Sequence, residues 1–269
     1  MLAMSSTQLS TFYECERKWF LTYVKRRTKP QSDAMRKGSL FHRIFELYFR
    51  DNMSLDDIIE KVRDDHQDWA HMLPVVMPLF FFYLEKNKKK EFVLINDKPA
   101  IELEFTLELA EDFILRGKID YIQQIGSKKY ITDIKVTSMS LTDWYFMQFE
   151  LGVQPMLYSY VGEEFLSGIE GFMIDGVMHS KAGKIDNNQQ FFPLLGNREE
   201  FISEVCAIGS YVNANIQDES AFPHRYTSCI GKYGKCNFFD VCRAPKHRQE
   251  AILMSDDFID YVSIYKETK

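Results

Sequence analysis

The sequence is short of several things, and each shortage narrows what the chain can be. Glycine and proline are sparse, 13 and 8 in 269 residues. With no low-complexity tract either, long disordered segments are not expected away from the ends. No apolar run reaches the roughly 20 residues that a bilayer-spanning helix needs. The most apolar stretch, Met72–Leu84, is shorter than that, and Pro74 and Pro78 interrupt it. Residues 1–10 lack the basic start and apolar centre of a secretory leader, so a cytoplasmic protein with no membrane partner is expected. A Gly-x-x-x-x-Gly-Lys-Ser/Thr loop is missing, so no ATP motor is evident and any helicase would be a separate partner. Positive charge is not in surplus: the net charge is −6. The total argues against a uniformly basic nucleic-acid binder, although local runs such as Lys25-Arg26-Arg27 and Lys88-Lys89-Lys90 can still track phosphates. Cysteines number five, an odd count that does not suit a disulfide framework.

What is present is a core. Hydrophobic residues make up 45% of the chain, enough to fill one large domain. Residues 5–28 read as a helix behind the hydroxyls of Ser5, Ser6 and Thr7. Further helices are expected over 37–50 and 55–69, the latter capped by Ser54, and through the apolar run to about residue 86. The texture then changes to short segments rich in Ile, Phe, Tyr and Thr: 92–95, 100–109, 113–124 and 129–137. These read as consecutive strands of a meander. Helical character returns over 142–166, a strand over 171–179 with a hairpin to 190–192, and a helix over 198–216. The tail from 221 is loop-like. The fold class expected is α/β, a mixed sheet flanked by helices.

The strands carry the charges that need explaining. Asp133 and Lys135 are two apart, so both side chains leave the same face of their strand. Asp120 can reach that face from the preceding strand. Asp-x-Lys alone is weak and commonly a surface ion pair. Here Ile131, Ile134 and Val136 surround it, as in a buried central strand, where charges require a reason. Two carboxylates can hold a hard cation such as Mg²⁺, with the Ile134 carbonyl as a further ligand and a lysine beside the attacking water.

Gly117-Lys118-Ile119-Asp120 followed by Ile131-Thr132-Asp133-Ile134-Lys135-Val136 resembles the core of PD-(D/E)XK nucleases. More narrowly it is similar to the RecB-like branch, which includes AddB nuclease domains and CRISPR-adaptation nucleases. Gln154-Pro155-Met156-Leu157-Tyr158 fits the helix that follows in that family, with Gln154 and Tyr158 on one helix face. Gly38-Ser39-Leu40-Phe41-His42 resembles the family's Gly-x-x-x-His helix and implies His42 as a metal ligand, with Glu46 one turn on. Otherwise His42 is a core residue. Glu102 and Glu104 are further carboxylates, but which of them faces the site cannot be read from spacing.

Cys229, Cys236 and Cys242 form a compact cluster that suggests a metal, and a fourth ligand is needed. In several RecB-like nucleases one N-terminal and three C-terminal cysteines hold a 4Fe–4S cluster, which implies Cys15 as the fourth. Zn²⁺ and free buried thiols are the alternatives; Cys206 sits in a helical apolar pattern and reads as core.

The resemblance therefore implies a restriction-endonuclease-like core, residues 1–269 as one nuclease domain, with a helical insertion at 37–90 and an iron–sulfur loop at 221–245 closed by Cys15. It implies a DNA nuclease dependent on Mg²⁺ or Mn²⁺, an exonuclease acting on single strands or DNA ends in recombination, repair, or CRISPR or phage DNA processing. Asp120, Asp133, Lys135, Gln154 and Tyr158 are the expected catalytic set, and His42, Asp120, Asp133 and the Ile134 carbonyl the metal ligands. The alternative is a non-catalytic binding or scaffold protein of the same fold with a structural metal.

Overall fold

The computed structural model describes residues 1–231 and 234–262. Residues 232–233 of the cysteine-bearing segment and 263–269 at the end of the 1–269 domain lie outside the described residues. The chain divides into two compact units. One comprises 33–107 and 116–203; the other comprises 1–32, 108–115 and 204–269.

A seven-stranded sheet is the frame. Its strands in chain order are β1 (Leu2–Met4), β2 (Glu91–Phe92), β3 (Ile101–Ala110), β4 (Phe113–Ile125), β5 (Lys128–Thr137), β6 (Ile169–His179) and β7 (Ile185–Pro193). The spatial order is β1-β4-β5-β6-β7, with β2 and β3 also pairing β4. β4 and β5 are antiparallel, β5 and β6 parallel, and β6 and β7 antiparallel. The sheet is therefore mixed, as expected of this α/β class.

In the larger unit, helices cover both faces of β5 and β6. Residues alternate sides along a strand, so Ile134 and Val136 of β5 look one way and Ile131, Asp133 and Lys135 the other. The Ile134 face packs on α2 (Asp33–Phe49), α3 (Leu55–Asp65) and α4 (Leu73–Lys86), which supply Phe41, Ile44, Phe45 and Phe80 to one buried cluster with Ile134, Tyr121 and Val177. Ser54 caps α3 by accepting the Asp57 N–H at 3.2 Å. The other face receives α5 (Asp143–Met147) and α6 (Val153–Phe165). Pro155 sits in the first turn of α6, where a missing N–H costs nothing.

The smaller unit differs from the continuous helix expected over 5–28. Helix α1 (Ser6–Glu14) stops at Cys15, whose backbone is extended at φ −168°, ψ 114°. A short helix (Glu16–Trp19) and a π turn (Phe20–Val24) follow. Strand β1 is not legible in the sequence, because three residues are too few for alternation; it pairs in parallel with Phe113–Leu115. This unit has its own aromatic core, in which Trp19 and Phe20 stack on Phe222 at 5.6 and 4.8 Å. Residues 204–215 of helix α7 (Arg198–Asn215) belong to this unit. Gly209 is required there: a Cβ would lie 2.6 Å from the Phe113 ring.

Candidate metal centre and cysteine cluster

The first site forms where two strands part. β4 and β5 pair from Ile125↔Lys128 up to Tyr121↔Thr132. One residue further, the ladder is replaced by side chains. The Ile134 N–H donates to Asp120 Oδ2 at 2.6 Å, and the Ile134 carbonyl faces His42 Nε2 at 3.2 Å. Both backbone groups of Ile134 thus meet side chains of the site. The other nitrogen of His42, Nδ1, lies 3.6 Å from both Asp120 Oδ2 and Glu102 Oε1.

His42, Glu102 and Asp120 can each offer a ligand atom within 4.8 Å of the others. Glu102 is the member that spacing left undecided. It lies in β3 with φ +52°, a left-handed conformation rare for a non-glycine residue in a strand. Such strain persists where surroundings enforce it and concentrates at functional sites. Lys118 holds the second oxygen of Glu102 at 3.0 Å. Glu104 is exposed and belongs to no such group among the described residues. Nothing in the sequence signals this left-handed backbone at Glu102.

Asp133 and Lys135 stand beside this group on the β5 face covered by α6. Asp133 is 3% exposed. Its Oδ1 accepts from Gln154 Nε2 at 2.6 Å and from the Tyr158 hydroxyl at 3.2 Å. Its Oδ2 lies 2.5 Å from Lys135 Nζ as an ion pair. Gln154 spans the pair, because its Oε1 accepts from Lys135 Nζ at 3.0 Å. All the residues expected to be catalytic therefore meet in one place. Asp133 is grouped with Lys135, Gln154 and Tyr158, while Glu102 joins His42 and Asp120.

The electrostatics suit a cation. Burial and the negative charges of Asp133 and Glu102 push Asp120 up to about 7, against the opposing pull of His42. Burial alone would lower His42, but Asp120, Glu102 and Asp133 outweigh it and raise it to about 9. Burial opposes ionisation of Glu102 as well, yet His42 and Lys118 hold it below the usual carboxylate range. The hard, oxygen-rich donor set of Asp120, Glu102 and the Ile134 carbonyl, with His42, fits Mg²⁺ or Mn²⁺.

The second site lies within the smaller unit. Cys15, Cys229, Cys236 and Cys242 line a single cavity with Phe238 and Phe239. The break after α1 brings Cys15 there, and its Sγ accepts from the Arg225 N–H at 3.5 Å. The Cys236 N–H donates to the Cys229 carbonyl at 2.9 Å, closing the intervening loop. Burial and the neighbouring sulfurs of Cys236, Cys15 and Cys229 push the Cys242 thiol up to about 11. Cys206 is not among the lining residues; its thiol points to the Leu109 carbonyl at 3.9 Å.

The family model of the PD-(D/E)XK nuclease superfamily matches residues 3–243. The chain belongs to that superfamily. Among curated proteins, one component of an ATP-dependent helicase/deoxyribonuclease from Streptococcus mutans is 28% identical over 177 residues, which is 60% of this chain and 16% of that protein. The chain thus spans about a sixth of that relative's length. Among solved structures, a Eubacterium rectale protein provisionally designated an exonuclease superposes with a TM-score of 0.55 at 15% identity, over 91% of this chain and 89% of that one. At that identity the likeness is one of fold. In this superfamily member, the mixed sheet between helices is the nuclease core.

Proposed function

We propose that this superfamily member is a deoxyribonuclease that hydrolyses phosphodiester bonds with Mg²⁺ or Mn²⁺, acting on single-stranded DNA or DNA ends. The observation that carries the reading is the meeting of His42, Glu102 and Asp120 around the Ile134 backbone, with the Lys135–Asp133 ion pair alongside. His42, Asp120, Asp133 and the Ile134 carbonyl would hold the ion, and Glu102 adds a carboxylate. Bound there, the ion supplies Lewis acidity toward the phosphate and lowers the pKa of water. Among the described residues, Lys135 has two neighbours, Asp133 and Gln154, for its three ammonium hydrogens. The third is free to orient the attacking water or meet the charge that develops on the phosphate. Water's oxygen bonds to phosphorus, the scissile P–O bond breaks, and the departing oxygen takes a proton. Gln154 and Tyr158 are positioning residues: they fix Asp133 and Lys135 by three hydrogen bonds.

Four cysteines lining one cavity support a structural 4Fe–4S cluster, with Zn²⁺ as the alternative. Cys15 and Cys242 are far apart in sequence, so the cluster would close a long loop. A separate helicase partner, a cytoplasmic location in a bacterium or phage-infected cell, and a role in recombination, repair or CRISPR or phage DNA processing complete the proposal. Incubating the purified protein with labelled single-stranded and duplex DNA, with each metal and with chelator, tests it. Metal-dependent, chelator-sensitive cleavage is expected, and its absence under all of these conditions would overturn the reading.

A further inference from the structure

The segment between β5 and α6 has both feet on the candidate site. It leaves β5 two residues after Lys135 and enters α6 one residue before Gln154, and those two side chains are bonded at 3.0 Å. Its inner side is firmly seated. Tyr145 and Phe146 are buried, and Gly176, the β6 partner of Lys135, leaves a cradle for Leu141 and Phe146. A Cβ at Gly176 would lie 2.7 Å from Leu141 and 3.3 Å from Phe146. Phe149 continues toward the site, its ring 5.9 Å from Lys135 Nζ.

The outer side is unusual. Trp144 is 76% exposed, Met147 55% and Leu151 69%. Trp144 and Met147 are three apart on α5 and share its outward face. The other two tryptophans, Trp19 and Trp69, are buried at 2% and 3%. An exposed indole mounted on a rigid turn costs little order on binding and offers a flat apolar face.

We propose that Trp144, backed by Met147, is a stacking platform for an unpaired nucleobase of the strand being cut, and so sets a preference for single-stranded DNA. The inference rests on the nuclease reading above. The occupant follows from continuity with the site: the segment that carries Trp144 is anchored at Lys135 and Gln154 and seats Phe146 at Gly176, the β6 partner of Lys135. Base–aromatic stacking is sequence-tolerant, because every base has a π face. It is available only to bases that are not already stacked in a duplex. The overall charge of −6 makes a non-electrostatic source of affinity more useful here.

Binding is measured by fluorescence anisotropy with labelled oligo-dT and with a duplex of equal length, in Mg²⁺, on a Lys135→Ala background that does not cut. Trp144→Ala should weaken oligo-dT binding by about 5- to 150-fold, the equivalent of about 1–3 kcal/mol of stacking, with duplex binding changed far less. Trp144→Phe should restore most of the loss. Oligo-dT should also quench the exposed tryptophan emission, and Trp144→Phe should abolish that quenching. Unchanged oligo-dT binding in Trp144→Ala, or an equal loss on both DNAs, overturns the proposal while leaving nuclease action intact. Protection of Trp144 from acrylamide by raising protein concentration alone would assign the face to a second copy and overturn it too. A wild-type protein that neither binds nor cuts any DNA removes the nuclease reading and the platform together.

Discussion

Two buried aspartates on neighbouring strands differ in almost everything except burial. Asp133 of β5 and Asp175 of β6 are 3% and 0% exposed and project to opposite faces of the sheet. Asp175 is saturated. Its Oδ2 takes Lys90 Nζ at 2.6 Å and the Tyr121 and Tyr83 hydroxyls at 2.6 and 2.7 Å, and its Oδ1 takes Asn187 Nδ2 at 2.7 Å. Burial alone would raise its pKa, but Lys90 and the two hydroxyls hold it below the usual carboxylate range. Asp133 pairs with Lys135, whose side chain is 30% exposed, and stands beside a group of carboxylates that repel one another. A carboxylate sealed against a buried lysine belongs to the architecture; one whose lysine opens to solvent beside like charges is placed to meet a ligand. The same residue type, at nearly the same depth, has been given two different tasks by its neighbours.

The contrast can be broken from either side. Asp175→Ala leaves the Lys90 ammonium, 2% exposed, without its partner. Removing one member of such a pair costs about 3–5 kcal/mol. Thermal denaturation should show a fall of about 6–20 °C, at about 2–4 °C per kcal/mol. Asp175→Asn should cost less, because the amide oxygen still accepts from Lys90. Asp133→Asn should do the opposite. In chelator it should leave the melting temperature unchanged or slightly raised, since it removes one of the crowded negative charges. With Mn²⁺ it should lose the stabilisation that ligand binding gives the wild type, and cleavage should drop at least about 100-fold.

Smaller effects sharpen the picture. Replacing Cys15, Cys229, Cys236 or Cys242 by serine should each lower iron content and soluble yield, whereas Cys206→Ser should leave iron content unchanged by elemental analysis. Glu102→Gln should weaken metal affinity by about 10- to 100-fold in titration calorimetry, the range seen when a ligand or its support is lost. Gln154→Ala removes the bridge between Lys135 and Asp133 while leaving every proposed ligand in the chain. A drop in kcat with little change in the metal titration would mark it as positioning.

Much of this is legible in the sequence because the chemistry is local. Asp133 and Lys135 share a strand face by the period of two, and Gln154 and Tyr158 share a helix face by the spacing of four. Asp120 follows from one antiparallel turn. The mixed sheet and its helices follow from the change in texture near residue 92. Glu102 is not legible, because its direction depends on a backbone kink and not on alternation. Nor is the Lys90–Asp175 network, whose members lie 85 residues apart and carry no motif. The break at Cys15 is hidden by helical periodicity that continues on either side of it. The outward indole at residue 144 looks, in sequence, like one more core aromatic in a helical stretch.

The central claim is that the cluster around Ile134 is a hydrolytic metal centre. Its most direct test is cleavage of a 5′-labelled single-stranded oligonucleotide by wild type, Asp133→Asn and Asp175→Asn, each in Mn²⁺ and in chelator. The account predicts cutting by wild type and by folded Asp175→Asn in Mn²⁺ alone, and none by Asp133→Asn under either condition. Cutting by Asp133→Asn at the wild-type rate, or by wild type in chelator, would contradict it.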